Sequence, residues 1–160
     1  MTESASPLEA FEEVAVGFCT WCEGESLGEK PETTASVWLA RLHACAQLLP
    51  DTEPDNEDGV PELPQAQLAQ VERNLKPFVG CYYRVVFDPD PTKTEEPVIG
   101  ELGDDLLDTY KDIKAGCLLR QQGRRIEALW YWSFMHQVHW GQHVVGALAA
   151  LHAYKQAHRH

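Results

Sequence analysis

"GELGDDLLDTYKDIKAGCLLRQQ", Gly100 to Gln122, decides the fold class. Its apolar positions Leu102, Leu106, Tyr110, Ile113 and Cys117 recur at spacings of four, four, three and four, the rhythm of one buried helix stripe. Gly123 ends that helix. A turn of about 100° per residue sets Asp104, Asp108, Glu101, Asp112 and Asp105, in that order, within an arc of about 100°, and centres the apolar stripe about 150° from the middle of that arc. The five acids are therefore expected on one face, opposite the core and toward water.

The neighbouring segments are helical too. From Leu8 to Glu23, Leu8, Phe11, Val14, Ala15, Phe18 and Cys22 recur at helical spacing, with Glu9, Glu12 and Glu13 near the N-terminal end of the helix dipole. Gly24, Gly28 and Pro31 interrupt it. Thr33 or Thr34 is expected to cap a second helix carrying Val37, Leu39, Leu42, Ala46 and Leu49, stopped by Pro50. Pro50 to Pro64 holds four of the ten prolines and six acids without a basic residue, a composition that buries no face and predicts a mobile loop. A short helix over Gln65 to Asn74 follows. "FVGCYYRVVFDP" has strand-forming residues but no evident partner strand, so an irregular or short helical packing segment is expected there. The last run, Arg125 to Gln156, contains no proline and places Trp130, Tyr131, Trp132, Phe134 and Trp140 on several sides. A helix apolar nearly all round belongs inside a bundle. The expectation is all-α: one domain over 1–160, a bundle of about five helices with a long central C-terminal helix and a mobile acidic, Pro-rich loop at 50–64.

Thirteen Lys and Arg against 25 Asp and Glu give a formal charge of −12. Such a field repels phosphate backbones and anionic membranes and favours basic protein surfaces or cations. A nucleic acid or membrane partner is not expected. The N-terminus lacks a signal-peptide pattern, no run of eighteen apolar residues occurs, and five cysteines in apolar contexts read as reduced thiols. These features predict a cytoplasmic protein.

Three groups carry candidate chemistry. Carboxylates one turn apart can hold Mg²⁺ or Mn²⁺, and "ELGDDLLD" resembles the Glu-x-x-Asp half-motif of all-helical nucleotide pyrophosphatases of the MazG family. Glu101 and Asp104 fill that half, and Glu9 with Glu12 is the upstream Glu-x-x-Glu pair, although the family holds its halves in one helical hairpin. His136, His139 and His143 lie within about 60° on the last helix, a row that continues an apolar seam and could contribute to a Zn²⁺ site. Cys19 and Cys22 could join His139 and His143 in a Cys₂His₂ set only if the first and last helices pack together there. No strand precedes that Cys-x-x-Cys pair, which argues against redox catalysis.

"VFDP" (Val86–Pro89), "LGDDLLDTYKDIKAG", "EALWYWSF" and "HWGQHVVGALAALHA" together resemble the uncharacterised bacterial family called domain of unknown function 5063. The resemblance implies a compact helical cytoplasmic domain and transfers no catalytic residue. Asp104, Asp105, Asp108, Tyr110, Trp132, His139, Trp140 and His143 match its words.

Two functions follow as expectations. The first is a non-enzymatic, cofactor-free protein-binding module of inhibitor or immunity type. In it Glu101, Asp104, Asp105, Asp108 and Asp112, helped by Asp55, Glu57 and Asp58, steer a basic protein partner. The alternative is a metal-dependent hydrolase, nucleotide pyrophosphatase-like, holding Mg²⁺, Mn²⁺ or Zn²⁺ through Glu101, Asp104, Asp105, Asp108, His136, His139 and His143. It requires the acids and histidines to share a cavity, which the angular positions disfavour.

Overall fold

Ser6 opens the first helix, α1 (Pro7–Glu23), with a capping box. Its hydroxyl accepts the Glu9 N–H at 3.2 Å and the Glu9 carboxylate accepts the Ser6 N–H at 3.0 Å, so two donors the helix leaves unpaired are satisfied. The expected stripe is buried, with Cys19 added to it. The second helix, α2 (Pro31–Ala46), starts on Pro31, whose fixed φ suits a first helical position. Neither Thr33 nor Thr34 caps it; the Thr34 hydroxyl donates back to the Lys30 carbonyl at 3.2 Å. Ala35, Leu39, Leu42 and Ala46 form its buried face, and Val37, about 200° from Ala35, points outward.

The computed structural model describes residues 3–56 and 58–158. Glu57, one of the acids expected to steer a partner, lies outside them. Among the described residues the Pro50–Pro64 loop holds no helix or strand, and its backbone is tied to the start of the fifth helix. The Glu127 carboxylate accepts the N–H groups of Asp55 and Asn56, and Arg124 donates to the Gly59 carbonyl at 3.0 Å.

After α3 (Gln65–Asn74) and a single 3₁₀ turn, Lys76–Phe78, the sequence expectation fails locally. Tyr82–Val85 is a strand, β1, paired antiparallel with β2 (Val98–Glu101), Tyr83 facing Gly100 in register. The missing partner was the short stretch just before the acidic helix, beyond a turn-rich insert. A two-stranded ribbon is not stable alone; this one rests on the helices through Tyr83.

The acidic helix, α4 (Leu102–Gln121), packs against α1 and against both halves of the last helical run. That run is continuous from Arg125 to Ala157 but changes pitch: α5 (Arg125–Met135), a π-helical turn (His136–Trp140), then α6 (Gly141–Ala157), which also packs on α2. The turn needs a glycine at its exit, because a Cβ on Gly141 would lie 2.1 Å from the His136 carbonyl oxygen. Trp132 and Trp140 are fully buried beside Phe11, ring centroids 5.0 and 6.0 Å away. Covering an indole of roughly 150–250 Å² is worth roughly 4–6 kcal/mol. Gly116 on α4 permits the approach, and the Trp132 indole N–H donates to the Ile113 carbonyl at 3.0 Å. The molecule is thus an all-α bundle with a minor hairpin. Among the described residues no helix is long and apolar enough to cross a membrane.

Candidate functional site

The five acids of α4 do not share a fate. Asp104 is exposed and Glu101 and Asp108 are half-buried, whereas Asp105 and Asp112 are only 5% and 6% exposed. The expected solvent-facing stripe is corrected at those two positions. The reason is a second buried seam on α4, in which Thr109, Gly116 and Leu119 sit beside Asp105 and Asp112 and face α5 and α6. Small and polar residues make that seam, so apolar periodicity passes over it.

What meets the two buried carboxylates is the histidine row, or two-thirds of it. His143 places Nδ1 2.8 Å from Asp105 Oδ1, and His139 places Nδ1 2.6 Å from Asp112 Oδ2. The helices run antiparallel here, so Asp105, Asp108 and Asp112, spaced three and four apart, are matched by two imidazoles four apart. Asp108 stands between the pairs, its Oδ2 3.5 Å from His143 Nε2. Angular reasoning had set the acids away from the histidines; the structure brings them into one site.

Tyrosines complete both pairs. Tyr83 reaches from β1 through space left by Gly100 and Gly146, where a Cβ would lie 2.5 and 2.8 Å from its side chain, and its hydroxyl donates to Asp105. The Tyr131 hydroxyl donates to Asp112 at 3.4 Å. Burial, reinforced by the neighbouring carboxylate, holds both phenols protonated well above their usual range. The Asp105 hydrogen bond raises the His143 imidazole above its ordinary value, outweighing burial. Burial pushes the Asp112 carboxyl up, against the pull of His139.

Asp108, His139 and His143 each offer one ligand atom, all within 4.8 Å of one another. Ligand bonds to Zn²⁺ are about 2.0–2.2 Å, so closing this triangle on an ion takes shifts of under about 1 Å per side chain. Each imidazole keeps Nε2 for an ion because a carboxylate occupies Nδ1, the outer arrangement that orients metal-binding histidines.

His136 is not part of this set. The π turn is wider than an α turn, so residues before it lose register with residues after it. His136 turns toward α2, its Nε2 3.1 Å from His43 Nδ1, and burial together with His43 lowers its pKa. Glu101 and Asp104 line a cavity of about 240 Å³ together with Tyr83, Asp105, Asp108 and His143. They do not meet the upstream pair of the pyrophosphatase motif. Glu9 is spent in the α1 cap and Glu12 pairs with Arg120 at 2.8 Å, about 28 Å along α4 from Glu101. The Cys₂His₂ set also fails to form. Cys19 and Cys22 are buried with Cys117, Tyr110 and Lys114, and among the described residues the groups able to share an ion include no cysteine. Tyr83, Tyr131 and His43 carried no sequence signal for these roles.

The profile of the family described as "Domain of unknown function (DUF5063)" matches residues 3–157. The chain belongs to this family. Two of the stretches that resemble DUF5063 carry the site, Asp105 to Asp112 in one and His139 with His143 in the other. The fold is also similar to that of protein BF1032 from Bacteroides fragilis, with a TM-score of 0.73 and 22% identity, covering 91% of this DUF5063 chain and 90% of the other. No curated protein matches.

Proposed function

We propose that Asp108, His139 and His143 bind one divalent transition-metal ion and that the protein is a metal-dependent hydrolase. One observation carries the reading: both histidines have Nδ1 fixed by a buried carboxylate, each carboxylate also takes a tyrosine hydroxyl, and one ligand atom of each ring lies within 4.8 Å of an Asp108 carboxylate oxygen. Two imidazoles and one carboxylate suit Zn²⁺ or Mn²⁺ better than Mg²⁺, which prefers oxygen ligands. Held by these three side chains, such an ion would supply a water acidified to near neutrality. The chain's own groups orient the imidazoles, keep the phenols protonated, and set Glu101 and Asp104 in the cavity wall. A cytoplasmic setting belongs to this proposal, supported by five free thiols.

The test is isothermal titration of metal-free protein with Zn²⁺ and Mn²⁺, alongside elemental analysis of untagged protein as purified. Saturable one-to-one uptake that disappears in His143→Ala is expected. No uptake of either ion by the wild type would remove the reading.

The formal charge of −12 supports a second reading, an acidic module that binds a basic protein as an inhibitor or immunity-type protein does. Glu101, Asp104 and Asp108 would supply its steering. Asp105 and Asp112, engaged internally, would add field but no contact.

A further inference from the structure

On the other side of the π turn is a larger groove of about 790 Å³, between α2, α6 and the residues that follow β1. Beside Asp51, three of its polar side chains are ordered in a relay. Gln47 Nε2 is 3.2 Å from His43 Nε2, and His43 Nδ1 is 3.1 Å from His136 Nε2. An amide nitrogen can only donate, so His43 accepts at Nε2, donates from Nδ1, and leaves the His136 proton on its own Nδ1. Val86, Val145 and Ala149 give the groove apolar walls. Its volume falls within the range of small-molecule sites. It also adjoins the cavity lined by Asp108 and His143, because Val85, Phe87 and Gln142 line both.

The fixed charges around these two adjoining spaces are carboxylates, with His143 held among those of the smaller one. Glu101, Asp104 and Asp108 line the smaller cavity and Asp51 the larger, while among the described residues no Lys or Arg lines either. A dianionic phosphate would enter against that field with no Lys or Arg of the chain to receive it. A neutral molecule meets no such cost, and an apolar body with a few hydrogen-bonding groups matches the groove walls.

We infer that the groove holds the uncharged, partly apolar body of the substrate, so that the bond presented to Asp108, His139 and His143 is a neutral carboxamide and not a phosphate ester. This rests on the hydrolase reading for the reaction, but not for the binding. Water's oxygen, with one proton, becomes bonded to the carbonyl carbon; the C–N bond breaks, and the amine leaves with the bonding pair and the second proton. The products are a carboxylic acid and an amine.

The experiment uses saturation-transfer NMR with 4-nitroacetanilide, a neutral anilide, and 4-nitrophenyl phosphate, on metal-free and Zn²⁺-loaded protein. Val145→Trp fills the groove from an exposed helix position, and Ala149→Phe serves if that variant does not fold. The anilide is expected to bind both forms, to weaken by about tenfold or more in the groove variant, and to leave Zn²⁺ affinity unchanged. Preferential binding of the phosphate, or anilide binding indifferent to both groove variants, overturns the inference. Zn²⁺ uptake without anilide binding overturns it and leaves the metal reading intact. Groove-dependent anilide binding in protein that takes up no Zn²⁺ upholds the ligand class and removes only the hydrolase.

Discussion

His136 and His143 stand seven residues apart on one continuous helical run, yet they occupy opposite chemical settings. His136 faces another imidazole across an apolar groove and is held neutral. His143 faces Asp105 and Asp108 and is drawn toward its protonated form. Residue type and local helix are shared; the facing helix is not. Chemistry here is assigned by the partner surface, α2 in one case and α4 in the other, and the π turn delivers one histidine to each.

The strongest way to break this comparison is to remove the shared ligand. Asp108→Ala is expected to weaken Zn²⁺ binding by more than about 100-fold, beyond the roughly 10- to 100-fold that outer partners carry, while His136→Ala stays within about twofold of wild type. Competition against a chromogenic chelator measures both; equal losses would mean that the two histidine regions are not distinct.

Next in size are the carboxylates behind the rings. Asp105→Asn and Asp112→Asn should each reduce Zn²⁺ affinity by about 10- to 100-fold with the fold preserved. Asp105→Ala should also destabilise the protein by about 1–3 kcal/mol in urea unfolding, since it strands the Tyr83 hydroxyl and His143 Nδ1 together. Tyr83→Phe, which removes one of those donors, should cost less.

The smallest effect sharpens the contrast through its sign. In metal-free protein His143 faces Asp105, Asp108 and Asp112, and its pKa is raised. Its contribution to stability is complete below about pH 6.5 and fades as pH rises through the raised value. His136 faces His43 and its pKa is lowered. Its contribution is present above about pH 6.5 and is lost as pH falls through the lowered value. Melting temperatures across pH 5 to 8 should therefore change on opposite limbs in His143→Gln and His136→Gln, by about a few degrees at most.

The helices were legible because apolar spacing reports burial against apolar neighbours, and the stripes of α1 and α4 show it. Asp105 and Asp112 were not legible for the same reason. They are buried by polar partners on another helix, and periodicity counts a carboxylate as outward-facing whatever lies opposite. His136 was grouped with His139 and His143 because a uniform turn of about 100° per residue leaves no room for a π turn. The hairpin was missed because four-residue strands separated by a long insert give too little alternation to pair by eye. Tyr83 fell within a stretch read only as a packing segment and Tyr131 among the aromatics of the last run, since nothing local marks a phenol whose partner is a distant carboxylate.

A π turn is an α-helix with one residue too many. In an uninterrupted α-helix the seven residues from His136 to His143 would bring both rings to nearly the same side. The π turn instead makes the run a partition, with His136 turned to the groove and His143 to the cavity. The candidate site and the groove beside it therefore share one wall, and a change in the pitch of that turn would be felt in both.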